Sequence, residues 1–371
     1  MLDSLIILSS SQNMNKFLPF LLFIIGFSNQ SKAQIGGSKV YEFLNLPASA
    51  RITALGGKHI TVRDDDLAMA LANPGVLSDS MHNQLTFNHS FHLSDIGQGF
   101  AGYGRHIDNI NTTFLFGVQY INYGTFNLTD EFDNINGTFD AAEYAITIGA
   151  GRSIYERLDV GANVKIITSQ FESYNSFGLT SDLSAVYHID DRGFTATLLF
   201  RNIGGQLATY RDGVREAVPF ELLFGISKRL KYLPFRFSIT AQHLQRWNLL
   251  FDNPNSEENT IFLGEVSTNN NEWIDNFFRH LIFSGEFLFG KRENFRLRFA
   301  YNHFRKQELS VANLRSLAGF SGGIGFKIKR FRFSYGLCVY HLGGSVSHFS
   351  IATNLSEFKK KKRKVKSSIT P

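Results

Sequence analysis

The sequence predicts an all-β fold: a transmembrane antiparallel β-barrel of about 14 strands with a short N-terminal plug. Three observations predict it. From Gln84 onward apolar and polar residues alternate, as in Phe331–His341, where Phe331, Phe333, Tyr335, Leu337 and Val339 oppose Arg332, Ser334, Gly336, Cys338 and Tyr340. A period of two means strands with one apolar and one polar face. Most of these segments run about 10–13 residues, against roughly 5–6 for soluble strands and the 9–11 a tilted membrane strand needs. The connections alternate between short turns and long loops, the habit of outer-membrane barrels.

The expected strands are 84–93, 97–106, 112–123, 143–154, 157–168, 177–189, 193–203, 218–230, 234–246, 281–290, 294–304, 318–329, 331–341 and 346–355. Long loops are expected at 124–142, 204–217, 247–280 and 305–317. An even strand count puts both ends of the barrel on the periplasmic side. Tyr120, Tyr123, Tyr187, Trp247 and Tyr340 fit interfacial girdles at strand ends. In this arrangement the apolar rows face lipid and the Gly, Ser, Thr, Asn, Lys and Arg rows face the lumen. A soluble sandwich or propeller would need shorter strands and a cover for the apolar rows.

Four regions follow. Residues 1–33 read as a leader and signal peptide: Lys16, the eleven-residue apolar run Phe17–Phe27, then a small-residue end at Ala33, with Met14 as the expected start. That run is too short for a membrane helix. Residues 34–83 form the plug, entering the lumen from the periplasmic side, 84–356 the barrel and 357–371 a basic disordered tail. The formal charge of +6 lies mostly in that tail, because Lys359–Lys366 carries seven positive charges. The basic balance therefore does not point to nucleic acid.

Composition agrees. Charged residues are 19%, below the roughly 25% of soluble domains, and phenylalanine occurs 37 times. The one cysteine, Cys338, excludes an internal disulfide framework and a Cys-based zinc site, and reads as packing.

The chemical motifs are weak. Gly97-Gln98-Gly99-Phe100-Ala101-Gly102 matches GxGxxG but opens no helix, so its glycines read as small lumen-facing positions. Ser356–Lys359 matches SxxK without the accompanying elements. Phe132–Glu143 resembles a calcium loop with Phe132 where an aspartate belongs. Lys360–Val365 has the form of a nuclear import signal, which a secreted chain cannot use. His348 and Ser350 share a strand face without a recognisable triad. These readings give no enzyme, no cofactor and no metal site.

The plug stands apart from the alternating strands. Within Tyr41–Val76, Arg51, the pair Gly56-Gly57, the acids Asp64, Asp65 and Asp66, and Asn73-Pro74 are the candidate plug residues. The acids are expected to bridge to wall arginines such as Arg296 and Arg298. In the 247–280 loop, Trp247, Phe251, Trp273, Phe277 and Phe278 are candidates for docking a partner.

Leu44–Gly57 (LNLPASARITALGG), followed by Asp64–Asp66 and Asn73-Pro74-Gly75, resembles the opening of a Bacteroidetes outer-membrane family. These are the PorV/PorQ barrels of type IX secretion, related to the FadL fatty-acid transporters, with the PorQ branch the nearer. Phe200–Gly204 (FRNIG) is similar to a strand end of the same group. Gly75 stands where FadL-type hatches carry alanine. The resemblance implies a fourteen-stranded plugged barrel in the outer-membrane lipid. It also implies a non-catalytic place in a secretion and attachment complex, holding a PorZ-like peripheral protein, with PorU and PorV as further partners. The competing expectation is a FadL-like channel for small hydrophobic molecules, which needs an apolar cavity and a movable plug.

Overall fold

A computed structural model describes residues 39–92, 96–250, 272–290, 293–309, 317–341 and 344–358. The leader, the basic tail and Phe251 with most of the 247–280 loop lie outside the described residues.

Fourteen antiparallel strands close into one barrel, each hydrogen-bonded to its sequence neighbours, with β1 returning to pair with β14. They are β1 Gln84–Phe91, β2 Gly97–Ile107, β3 Thr112–Thr129, β4 Ile135–Tyr155, β5 Leu158–Phe171, β6 Tyr174–Ile189, β7 Phe194–Ala208, β8 Glu221–Arg229, β9 Phe235–Ala241, β10 Leu281–Phe289, β11 Phe295–Asn302, β12 Phe320–Ile328, β13 Phe331–His341 and β14 Gly344–Asn354. Each falls on one of the expected segments. Among the described residues four α-helices accompany them: α1 Ala50–Ala54, α2 Ala68–Ala72, α3 Glu272–Arg279 and α4 His303–Leu309. Among the described residues no helix is long and apolar enough to cross a membrane, so crossing falls to the strands.

The side-chain distribution is inverted relative to a soluble barrel. Asn88, Thr147, Asn163, Asp182, Thr240, Glu286 and Arg298 are buried inside, while Phe87, Phe116, Ile146, Ile148, Phe299, Phe320 and Phe349 stand exposed outside. A water-facing exterior of that composition would be an aggregation surface. Facing hydrocarbon it costs nothing, and closure leaves no unpaired strand edge in the lipid.

Four expectations need correction. The segment 124–142 is not an irregular loop: β3 and β4 continue as a paired ribbon from Thr125↔Asp140 to Thr129↔Ile135. Its Thr, Asn and Phe content suits strand, and the Asp130 carboxylate, accepting from the Phe132 and Asn134 amides, holds the turn that resembled a calcium loop. Of the GxGxxG glycines only Gly102 faces inward, against Phe100, whereas Gly97 and Gly99 abut the outward-facing His89 and Tyr120. Tyr123 also points inward, donating to Glu143 at 2.6 Å, and so is no girdle residue. The described part of the plug does not start at the short-turn end of the barrel, where entry from the periplasm was expected. Val40 donates its amide to Ala217 in a long loop, whereas Asn83 donates to Gly104 at the short-turn end. The described plug therefore runs the length of the lumen from the long-loop end.

Candidate functional site

The plug, residues 39–83, fills the barrel, and its local structure follows from its sequence. Ser49 caps α1, its hydroxyl accepting from the Ile52 amide. The helix ends at Gly56 and Gly57, both with φ near +90°, where the Gly57 amide returns to the Ile52 carbonyl. A side chain at Gly56 would strike Ile282 of β10. Asn73 caps the Pro74–Val76 turn and donates to the Ile60 carbonyl at 2.6 Å, tying the two halves of the plug together. Apolar plug residues Leu67, Met69, Leu71, Val76 and Met81 pack on Phe100, Leu115 and Val186 of the wall.

The wall is cut to receive this chain. A Cβ on Gly336 of β13 would run into the Ala50 carbonyl, and one on Gly161 of β5 into the Pro74 carbonyl. Lumen-facing polar groups bond the plug backbone and its hydroxyls. The Ala50 amide donates to Ser350 Oγ at 2.8 Å, and Thr53 Oγ1 lies 2.9 Å from His348 Nδ1. The Ser350 and His348 face noted in the sequence thus holds α1. The Tyr41 hydroxyl reaches Ser176 at 2.5 Å near the long-loop end.

An ionic cluster centres on Arg51, whose side chain is 1% exposed. Its Nη2 lies 2.8 Å from both Asp64 Oδ2 and Glu286 Oε2, and its Nη1 3.1 Å from Asp66 Oδ2. Glu286 of β10 also accepts from Arg298 Nε at 2.8 Å and from Arg236 at 3.1 Å. Arg296 reaches Asp64 at 3.3 Å, and Arg332 reaches Asp65 at 2.5 Å. In this cluster the wall presents four arginines against two carboxylates, Glu286 and, on Arg296 at 3.7 Å, Glu293, a surplus of two positive charges. The plug answers with three aspartates against Arg51, a surplus of two negative charges. The expected bridge to Arg296 is present; Arg298 pairs instead with Glu286, because the two stand in register on neighbouring strands.

The field of the cluster fixes its ionisation. Burial alone would raise the Asp64 carboxyl, but Arg51 and then Arg296 outweigh it and hold it well below the usual carboxylate range. Burial likewise opposes the charge on Arg51, and Asp64, Glu286 and Asp66 more than restore it. For neighbouring His59 the compensation from Glu286 and Asp64 falls short. Burial and then Arg51 push it down to about 3, so it is neutral at physiological pH. Further along, Lys58 binds Glu221 at 2.5 Å and Arg63 binds Asp159 at 2.7 Å.

Between plug and wall the described residues enclose one small void. The void bounded by Leu46, Pro47, Ile52, Leu71, Gln119 and Lys165 measures about 20 Å³, room for about one water molecule. The wall beside it carries a bulge, where β7 gains a residue on β6 between Ser181 and Leu183. Asn202, with φ of 57°, sits in it and is sealed by Lys165 and Asp182.

The docking-loop candidates are only partly assembled. Trp247 stacks on His280 at 5.1 Å, and on α3 Trp273 stacks on Phe277 at 5.9 Å while Phe278 packs toward His303. Arg51 and the aspartates were legible in the sequence, but Glu286 was missed. The signal was present: it is the one carboxylate in the strand LIFSGEFLF, on its inward face.

No family model and no curated protein matches the sequence. Among solved structures the fold is similar to the CymD monoaromatic hydrocarbon channel, at 12% identity and TM-score 0.48 over 83% of this chain and 96% of that one. It is similar to the Pseudomonas putida toluene transporter TodX, at 12% identity and TM-score 0.47 over 83% and 96%. A Pseudomonas aeruginosa FadL homologue follows, at 9% identity and TM-score 0.45 over 83% and 98%. At such identities the likeness is one of barrel architecture alone.

Proposed function

We propose that the protein is an outer-membrane barrel stoppered by its own N-terminal segment, serving as a non-catalytic platform for a peripheral protein at its long-loop end. The filled lumen carries this reading. A site for a small hydrophobic molecule is a mostly apolar pocket of roughly 300–1,000 Å³. The void beside the plug is about 20 Å³ and borders Lys165, Arg201 and Gln119. The finer assignment to a type IX attachment complex, with a PorZ-like partner beside PorU and PorV, rests on the Tyr41–Val76 resemblance, and no comparison speaks for it.

A second reading is a FadL-like channel for small hydrophobic molecules. The CymD hydrocarbon channel and the toluene transporter TodX, similar in barrel architecture, are proteins of that kind. What favours it in this chain is the polar character of much of the plug–wall contact, because water can replace hydrogen bonds and ion pairs when a plug moves.

Proteoliposomes separate the two. With the full-length protein, uptake of toluene and of a long-chain fatty acid should equal that of empty vesicles. Saturable uptake that scales with protein would overturn the platform reading and install the channel. Deleting 247–280 should also release a peripheral protein that co-purifies with the intact barrel.

A further inference from the structure

The ribbon formed by the ends of β3 and β4 leaves the barrel. Wall pairing stops at Asn122 on the β2 side and at Ala141 on the β5 side. Beyond these points Thr125–Thr129 and Ile135–Asp140 pair only with each other. At about 3.3 Å per residue the ribbon rises roughly 15–20 Å past the wall.

Its two faces differ in kind. The register shift around Gly124 (φ 85°) places Phe126 and Leu128 opposite Phe139 and Gly137. On β4 Phe139 and Gly137 continue the parity of the inward residues Ala141, Glu143 and Ala145, and a second register shift beyond Leu128 sets Ile135 opposite Thr129, on the other face. The face above the barrel mouth is therefore apolar, built from Phe126, Leu128 and Phe139: Phe126 is 43% exposed and Leu128 41%. Phe126 stacks on Phe139 at 5.4 Å, and Gly137 leaves an open gap beside them. The opposite face, which continues the lipid-facing parity, carries Thr125, Asn127, Asn136, Thr138 and Asp140. A polar outer face means that the ribbon clears the hydrocarbon. The tip carries Asp130, Glu131 and Asp133. At the base, Tyr123, Phe171 and Tyr210 form an aromatic cluster beside a cavity of about 360 Å³.

An isolated two-stranded ribbon is marginally stable in water, and an apolar face left open on it is a contact surface. The surface is wrong for a small molecule, whose sites bury 70–90% of the ligand, since an open ribbon covers one side only. Among the described residues neither outer edge of the ribbon has a strand partner, so its backbone groups are free to pair with an extended chain.

Building on the platform reading, we propose that this inward face docks an extended segment of a partner protein. That segment is apolar on alternate residues and carries lysine or arginine where it meets Asp130, Glu131 and Asp133. The apolar row seats on Phe126, Leu128 and Phe139, the backbone adds to a ribbon edge, and the acidic tip sets orientation and on-rate.

The test places the photo-crosslinker benzoylphenylalanine at Leu128, Asn127 or Trp273 of the full-length protein in its own membrane, and sequences the crosslinked peptide. The expected result is a discrete protein adduct at Leu128, at least tenfold stronger than at Asn127. The attached peptide should alternate apolar residues beside basic ones. Phe126→Ser should cut that adduct at least tenfold while the barrel keeps its heat-modifiable gel migration. Adducts at Trp273 but not Leu128 would overturn the ribbon site and leave the platform standing. Protein adducts at none of the three positions would overturn both. Equal yields at Leu128 and Asn127, lipid adducts, or a peptide without the alternating pattern would overturn the ribbon site alone.

Discussion

Replacing Arg51 with alanine should unseat the plug and leave the barrel folded. Arg51 is the one plug cation in the cluster, and it bonds Asp64, Asp66 and Glu286 at once. After its removal Glu286 keeps Arg236 and Arg298, and Asp64 keeps Arg296. Asp66 keeps the Ala68 amide and the more distant charge of Arg332. Breaking a buried ion pair by deleting one partner costs about 3–5 kcal/mol, because the other charge stays buried. At about 1.4 kcal/mol per decade this shifts plug docking by roughly two to four powers of ten. Amide exchange followed by mass spectrometry reads it directly: amides of residues 50–72 should exchange about 10²–10⁴ times faster, with strand amides unchanged. Arg51→Lys, which keeps charge but loses the planar fork, should fall between. Wild-type exchange in the Arg51→Ala plug would refute the reasoning. Equal acceleration throughout the strands would show that the plug and the barrel unfold as one unit.

Other outcomes follow from the same contacts. His59 is held neutral with its titration lowered to about 3, whereas a free histidine titrates near 6.5. A depressed folded value means the released plug binds the proton more readily, so docking weakens as pH falls below about 6.5. The loss by pH 5 is about 2 kcal/mol, and amide exchange of the plug at pH 7.5 and 5, corrected for intrinsic rates, reads it. Gly336→Val drives a side chain into the Ala50 carbonyl and should cost about 1–3 kcal/mol of plug docking; Gly205→Ala, with open space around it, is the neutral control. Lys165→Met strands Asp182, which has no exposed surface, beside the β6–β7 bulge. It should lower barrel stability by about 3–5 kcal/mol in denaturant titrations. Phe116→Arg places a charge on the lipid face near mid-strand and should cost about 2–4 kcal/mol of folding into bilayers, with a smaller effect in detergent.

Much of the fold was legible because a membrane strand obeys a local rule. Its side chains alternate between two solvents, so Phe295, Leu297 and Phe299 against Arg296, Arg298 and Ala300 reveal strand, faces and approximate length from eight residues. The failures came where the rule changes meaning. Above the membrane both faces of a ribbon meet water, and β3 and β4 read there as loop. The shift around Gly124 also exchanges which parity is inward, which no count of alternating residues reveals.

The plug divides in the same way. Ser49, Gly56-Gly57 and Asn73-Pro74 encode their caps and turns locally, and the three aspartates announced an ionic role. Which arginine each aspartate meets is a matter of strand register and barrel closure. Arg51 and Glu286 are 235 residues apart in sequence, and nothing local to either names the other.

The sequence by itself determined that this chain is a barrel with its polar face inward, because hydrocarbon outside and a hydrogen-bonding interior demand opposite residues at every second position. Only the tertiary structure decided that the described plug runs from the long-loop end, that Glu286 is the wall's half of the Arg51 cluster, and that the plug occupies the lumen. Those depend on closing a ring of fourteen strands, and closure sums over registers that no single segment carries.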